Sequence, residues 1–246
     1  MASLMTALRT SLAGTAAIWI ALWGLIGGAM ADGFEAEPPC FPGADGLTKE
    51  GERWWTRSPD PNNPVACSTC HHDAAVVSAW APSFPKWKPL PPPHSRVMTL
   101  LQANAEAVAR HYGLDDPRPA AVAITAYLMW LARGALVTPG TSAGQPVLPA
   151  RLKALSASVE RGHSAFQAGC RACHQVEQIA ARVLAFPRVR KGRAESFEGF
   201  LEEHVSSSQV LTWDGAPMAD LLAYLMSSLA GRTLPVTCAN SLEVSR

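Results

Sequence analysis

Apolar residues recur at helical intervals over residues 97–111, 119–133, 151–167, 195–204 and 216–230, and no stretch sustains the alternation of a half-buried strand. The pattern predicts an all-α chain in which strands are nearly absent. Residues 82–93 interrupt it with Pro82, Pro85, Pro89, Pro91, Pro92 and Pro93. Proline removes a donor and clashes with the preceding turn, so this stretch is expected to be non-helical. A long irregular loop inside a compact domain usually wraps something or serves a function.

The first 31 residues follow another pattern. Arg9 is their one charged residue, an apolar run passes through Ile18, Trp19, Leu22, Trp23, Leu25 and Ile26, and Ala29-Met30-Ala31 closes it before Asp32. That order of charge, apolar stretch and small-x-small triplet predicts a secretory signal peptide over 1–31. An uncleaved membrane anchor is the alternative, because the run over 12–30 approaches the roughly 20 residues that cross a bilayer. Gly27-Gly28 and the Ala-Met-Ala triplet favour cleavage. A periplasmic protein is therefore expected, soluble after cleavage, or anchored and facing the periplasm without it. No later stretch is long and apolar enough to span a membrane.

The pattern also repeats. Gly51-Glu52-Arg53-Trp54-Trp55 is echoed by Gly162-His163-Ser164-Ala165-Phe166, each a small residue followed within a turn by an aromatic. Downstream, Ala126-Tyr127-Leu128-Met129 is echoed by Ala223-Tyr224-Leu225-Met226, with Gly134 and Gly231 placed as helix C-cap glycines would be. Between them residues 135–150 carry Pro139, Gly140, Gly144, Pro146 and Pro149 without periodicity, as a linker does. Two tandem helical domains are expected, 32–134 and 151–246, joined by this Pro/Gly-rich linker at 135–150.

Composition narrows the function. With 48% hydrophobic and 17% charged residues the chain is not a disordered polyelectrolyte. A net charge of +1, from 21 Lys and Arg against 20 Asp and Glu, argues against a nucleic-acid partner, which needs a basic surplus on one face. Six cysteines are too few for a disulfide miniprotein, and 20 prolines with 18 glycines are too many for a continuous helical bundle.

The cysteines are informative by their spacing. Cys67-Ser68-Thr69-Cys70-His71 and Cys170-Arg171-Ala172-Cys173-His174 are two copies of C-x-x-C-H. Two thiols two residues apart reach both vinyl groups of a haem from one helical turn, and the adjacent histidine is then held under the iron as a fixed axial ligand. C-x-x-C pairs also bind zinc or serve as thioredoxin-like redox pairs. Zinc needs the two pairs close in sequence, a thioredoxin-like site needs a βαβ setting, and neither is present. The favoured reading is two covalently bound haem c groups, one on Cys67 and Cys70 with proximal His71, the other on Cys170 and Cys173 with proximal His174. Cys40 and Cys238 are left over. In an oxidising compartment a disulfide between them is favoured over two unrelated thiols; closing so long a loop stabilises by about 4–5 kcal/mol in the chain-entropy model.

With these residues the chain resembles a dihaem c-type cytochrome built of tandem class I cytochrome c domains. In that family the terminal helices of each domain cross through small and aromatic residues. The resemblance therefore places Gly51 with Trp55, and Gly162 with Phe166, against Tyr127 and Tyr224. It also places the distal iron ligand in the segment before the last helix. Met129 and Met226 lie within the apolar periodicity and are read as core, while His163 is expected to face solvent or a propionate. The remaining candidates are His94, His111 and Met98 for the first haem, with His111 favoured, and His204 and Met218 for the second, with His204 slightly favoured. Phe200-Leu201-Glu202-Glu203-His204 resembles a Phe-Leu-x-x-His segment that precedes a Met-Pro ligand in many such domains, but Ser206-Ser207-Ser208 stands where that methionine would be.

The first domain is faintly similar to the sphaeroides haem protein group through Lys88-Pro89-Leu90 and Arg96-Val97-Met98-Thr99, an alignment that brings His111 onto or beside that family's distal asparagine. SoxA subunits and thiosulfate dehydrogenases take a distal Cys or Met from the same region. No Cys occurs there in this chain, which argues against thiolate-ligated thiosulfate chemistry. The function implied is electron carriage between donor and acceptor redox proteins, with the basic run Arg182, Arg188, Arg190, Lys191 and Arg193 available to dock an acidic partner. The alternative is a haem-bearing oxidoreductase subunit for sulfur compounds, or one binding oxygen or nitric oxide at a weakly ligated iron. No acid/base or nucleophile constellation points to catalysis apart from haem.

Overall fold

The computed structural model describes residues 44–91, 95–142, 146–205 and 211–235, all within one compact unit. The expected signal peptide, Cys40, His94, Ser206 to Ser208 and Cys238 lie outside the described residues. The chain is all-α, with ten helices and two three-residue hairpins among the described residues. The first repeat runs α1 (Ala44–Thr56), α2 (Cys67–Cys70), α3 (Ala74–Ser78), α4 (Trp80–Ser83), β1 (Lys86–Lys88), β2 (Arg96–Met98), α5 (Leu100–Tyr112) and α6 (Arg118–Leu131). The second runs α7 (Pro149–Gly169), α8 (Val176–Val183), β3 (Arg188–Arg190), β4 (Arg193–Glu195), α9 (Phe197–His204) and α10 (Ala216–Ser228).

In each repeat the first long helix crosses the last at a glycine. A Cβ on Gly51 of α1 would overlap the Ala123 carbonyl of α6, and one on Gly162 of α7 would overlap the Asp220 carbonyl of α10. These positions lack a side chain because two helix backbones touch there. One turn on, Trp55 lies 6.3 Å from the Tyr127 ring and Phe166 lies 5.6 Å from the Tyr224 ring. The α7–α10 crossing is also tied by polar groups. The Asp220 carboxylate accepts from Ser158 Oγ at 2.5 Å and from Arg161 Nε and Nη2 at 2.7 and 2.8 Å.

The hairpins follow the same internal symmetry. Phe84-Pro85 leads into β1 and Phe186-Pro187 into β3, both through cis bonds. In register, Lys86 faces Met98 in the first hairpin as Arg188 faces Glu195 in the second. Val97, Met98 and Glu195, expected as helix starts, therefore belong to strands. The physical reason is capping. The Thr99 hydroxyl accepts from the Gln102 N–H at 3.2 Å and the Ser196 hydroxyl from the Gly199 N–H at 3.0 Å, which fixes the true helix starts at 100 and 197. Pro82, expected to be non-helical, is the third residue of α4, where a helix has no use for its N–H.

The repeats share a core. Trp55, Ile124 and Leu128 join Phe166, Leu221 and Leu225 in one buried cluster. Gln102, buried on α5, donates from Nε2 to the carbonyls of Trp213 and Gly215, 3.0 Å each. Gly134 and Gly231, with φ of 80° and 81°, follow the last helices of the repeats, and the chain after each pairs with the other. Leu136 bridges Thr233, with Val137 N–H on the Arg232 carbonyl and Leu234 N–H on the Ala135 carbonyl, 2.8 Å each. Within the expected linker Val137 is fully buried, and Thr138 and Gly140 donate to carbonyls of Pro82 and Ser83.

Candidate functional site

Both C-x-x-C-H segments fold as single turns. His71 N–H bonds the Cys67 carbonyl at 2.9 Å and His174 N–H the Cys170 carbonyl at 3.0 Å. In each turn the first cysteine is half-buried and the second exposed, and none of the four is bonded to another cysteine. Burial pushes the Cys67 and Cys170 thiols above their ordinary pKa.

Around the first turn the walls are aromatic. The His71 ring stands 4.8 Å from Trp80, edge-on, and 6.1 Å from Trp55. Tyr112 Oη donates to the Trp54 carbonyl at 2.8 Å, accepts from the Cys67 N–H at 3.2 Å and lies 3.3 Å from Cys67 Sγ, so the end of α5 is anchored to the start of α2. Its neighbour His111, at the end of the same helix, is exposed. Burial, then the Lys88 ammonium, then His111 hold the His71 pKa below the usual histidine value. Sequence reasoning singled out His111 and missed Tyr112, whose only signal is adjacency to a candidate ligand.

Around the second turn the structure brings the two expected histidines near one another, with their rings tilted by 52°. The His174 and His204 rings lie 6.2 Å apart, centroid to centroid. His204 is positioned by its own helix, stacking on Phe200 one turn back at 5.2 Å and 15°. Phe200 in turn meets Phe186 at 5.6 Å, and Phe186 meets Phe197 at 5.4 Å, edge-on. This ladder is the feature missed at sequence level, although the i, i+4 spacing of Phe200 and His204 could have signalled it.

The methionine candidates sit elsewhere. Met218 is fully buried in the shared core, and Met98 is buried on β2. Met226 belongs to the core and Met129 packs against it, and both line an apolar pocket between the repeats with Phe84, Phe186, Thr99 and Ser196. His163 is exposed, 5.0 Å from the Tyr224 ring. Within the basic run, Glu195 bonds Arg188 at 2.7 Å and lies 3.8 Å from Arg190, whereas Lys191 and Arg193 are exposed. Among the described residues no three His, Cys, Asp or Glu side chains gather as a metal cluster, so the two cysteine pairs do not form a joint zinc site.

Glu198 lines the same pocket and is buried; burial raises its pKa, and the Thr99 hydroxyl and the Arg118 guanidinium oppose the rise. A carboxyl whose folded pKa is raised binds more protons folded than unfolded. Stability is then greatest below the ordinary glutamate value of about 4.3 and falls as pH rises from there through the folded pKa. Glu198→Gln is expected to flatten that decline and to raise the melting temperature at pH 7, as thermal melts across pH 4–8 would show.

No helix of the described residues is long and apolar enough to cross a membrane. Neither a protein-family model nor a curated protein matches the chain. Among solved structures it is similar to SoxXA from P. pantotrophus, with a TM-score of 0.58 and 12% identity over 80% of this chain and 78% of that one. The likeness shows a cytochrome c-like fold.

Proposed function

We propose that the chain is an exported dihaem cytochrome c that passes single electrons between redox proteins. One observation carries this reading: the paired imidazoles of the second repeat. Two imidazoles on opposite sides of one metal, at bonds of about 2 Å each, put their ring centroids about 6 Å apart, and His174 and His204 stand at 6.2 Å. Residues and cofactor fit. Cys170 and Cys173 would hold the second haem by thioether bonds, with His174 and His204 on its iron. Cys67 and Cys70 would hold the first, with His71 on its iron and His111 as the candidate second ligand. When bound, each haem supplies a ferric/ferrous couple that takes up and releases one electron.

The chain's own residues do the rest. The α2 turn and its counterpart at 170–173 aim the thiols, Trp80 orients His71, and Phe200 holds His204 in place against rotation. Shared core packing between the repeats fixes the two sites in one body, which favours electron transfer between them. Domains 32–134 and 151–246, the linker 135–150, the cleaved signal peptide and the Cys40–Cys238 disulfide complete the proposal. Exposed Lys191 and Arg193 offer an acidic partner a docking contact.

The test is cofactor stoichiometry in protein matured in a host competent for cytochrome c assembly. Pyridine haemochrome absorbance against polypeptide mass should give two haems per chain, and Cys170→Ala with Cys173→Ala should leave one. A colourless wild-type protein, or an unchanged count in the variant, overturns the reading. Carbon monoxide binding by the untreated reduced protein would redirect it to a gas-binding or catalytic subunit.

A further inference from the structure

The two hairpins carry the same charge at every matching register position but one. In the second, Arg188 and Arg190 share a face with Glu195, whose carboxylate they bind. In the first, Lys86 and Lys88 occupy the matching positions and Met98 replaces the glutamate. Both ammonium groups lie over the Phe84 ring, at 4.6 and 6.0 Å, as Arg188 lies over Phe186 at 4.2 Å. Lys86 Nζ donates to Ser83 Oγ at 2.7 Å. Arg151, at the start of α7, stands over the Trp87 ring at 5.5 Å, and its buried Nε has no hydrogen-bond partner among the described residues.

Among the described residues no carboxylate pairs with Lys86, Lys88 or Arg151. Burial, then Lys88, then Arg151 pull the Lys86 pKa down to about 8, and burial followed by Arg151 lowers that of Lys88. Two lysines partly withdrawn from water over one Phe84 ring, with an orphan arginine donor over the Trp87 ring between them in the strand, are costly unless an anion joins them.

We infer that Lys86, Lys88 and Arg151 form a receptor for a carboxylate or oxyanion that takes the place Glu195 fills in the second hairpin. The internal repeat specifies the chemistry, because the matching cations already bind a carboxylate. Lys86 is hydrogen-bonded to Ser83, the last residue of α4, whose Trp80 lies 4.8 Å from the His71 ring, so one short helix joins the receptor to the first C-x-x-C-H turn. Two sources have this chemistry: a free oxyanion from solution, or a propionate of the first haem. The second source rests on the function proposed above.

The test uses the holoprotein with sulfate as probe, titrated calorimetrically at constant ionic strength, beside potentiometric titration of both haems across pH. For a free oxyanion, sulfate binds the wild type, and Lys86→Met or Lys88→Met weakens it about tenfold or more, since each removes a charge-assisted hydrogen bond. For a propionate, the wild type takes up no sulfate there; either variant lowers the potential of one haem and gives it a pH dependence near neutrality as the propionate loses its cation. Lys86→Arg and Lys88→Arg, which keep the charge, should preserve wild-type behaviour under either source. Glu195→Gln, which frees Arg188 and Arg190, should create sulfate binding in the second hairpin. Sulfate affinity, potentials and pH profiles all unmoved by both Lys→Met changes would overturn the receptor. A haemochrome count of zero on the same preparation would remove the proposed function and leave the sulfate arm standing.

Discussion

Replacing His204 with alanine is expected to change the second site alone. The His204 ring lies 6.2 Å from that of His174, and it is held by stacking on Phe200. Without it the iron of that site would lose a strong-field nitrogen ligand, and Met218, fully buried in the core, has no route to replace it without unpacking α10. The expected result is conversion of one haem of the pair from low to high spin, read by electron paramagnetic resonance. Carbon monoxide binding should appear at about one site per chain, with the other haem unchanged. His204→Met should instead keep six-coordination and raise that site's potential, since a thioether favours the ferrous state. Phe200→Leu removes the stack but not the ligand, so it should broaden the low-spin signal without abolishing it. Unaltered spin state and potential in His204→Ala would remove His204 from the site.

The sequence made the chemistry-bearing residues legible to different depths. The two C-x-x-C-H turns, the crossing glycines and their aromatic partners stand out because covalent spacing and backbone contact each permit few residue types. His204 was harder to separate from Met218. His204 ends α9 and Met218 stands in the first turn of α10, and burial distinguishes them: Met218 faces the core while His204 sits on the exposed end of α9. The hairpins left almost no trace. At three residues per strand, alternation is too short to register as a period, and the surrounding prolines read simply as loop. Their true signal was Thr99 and Ser196, whose capping role marks where a strand gives way to a helix. The shared core was illegible for another reason. Gln102 spans the repeats to backbone carbonyls, and a backbone acceptor carries no residue-type signature.

The largest loss of stability should come from Gly162→Ala. Its new methyl group would meet the Asp220 carbonyl, and α10 cannot easily yield at that point. Asp220 is fastened to α7 by Ser158 and by both nitrogens that Arg161 presents, so the residue blocking the methyl is tied to the helix that carries it. Overpacking typically costs about 1–3 kcal/mol; backbone as the obstacle puts Gly162→Ala at the upper end, about 3 kcal/mol, or roughly 10 °C in melting temperature for a unit of this size. Gly51→Ala should cost less. Its obstacle is the Ala123 carbonyl, and the Ala123 methyl cannot hydrogen-bond α6 to α1, so the helices can separate slightly. Because Trp55 and Phe166 share one core cluster, either variant should melt in a single transition. Asp220→Asn weakens the fastening, so adding Gly162→Ala to it should cost less than the two changes apart, a coupling that a double-mutant cycle of chemical denaturation measures. Equal losses for Gly51→Ala and Gly162→Ala, with no coupling to Asp220, would mean that the polar tie does not hold α10 against α7.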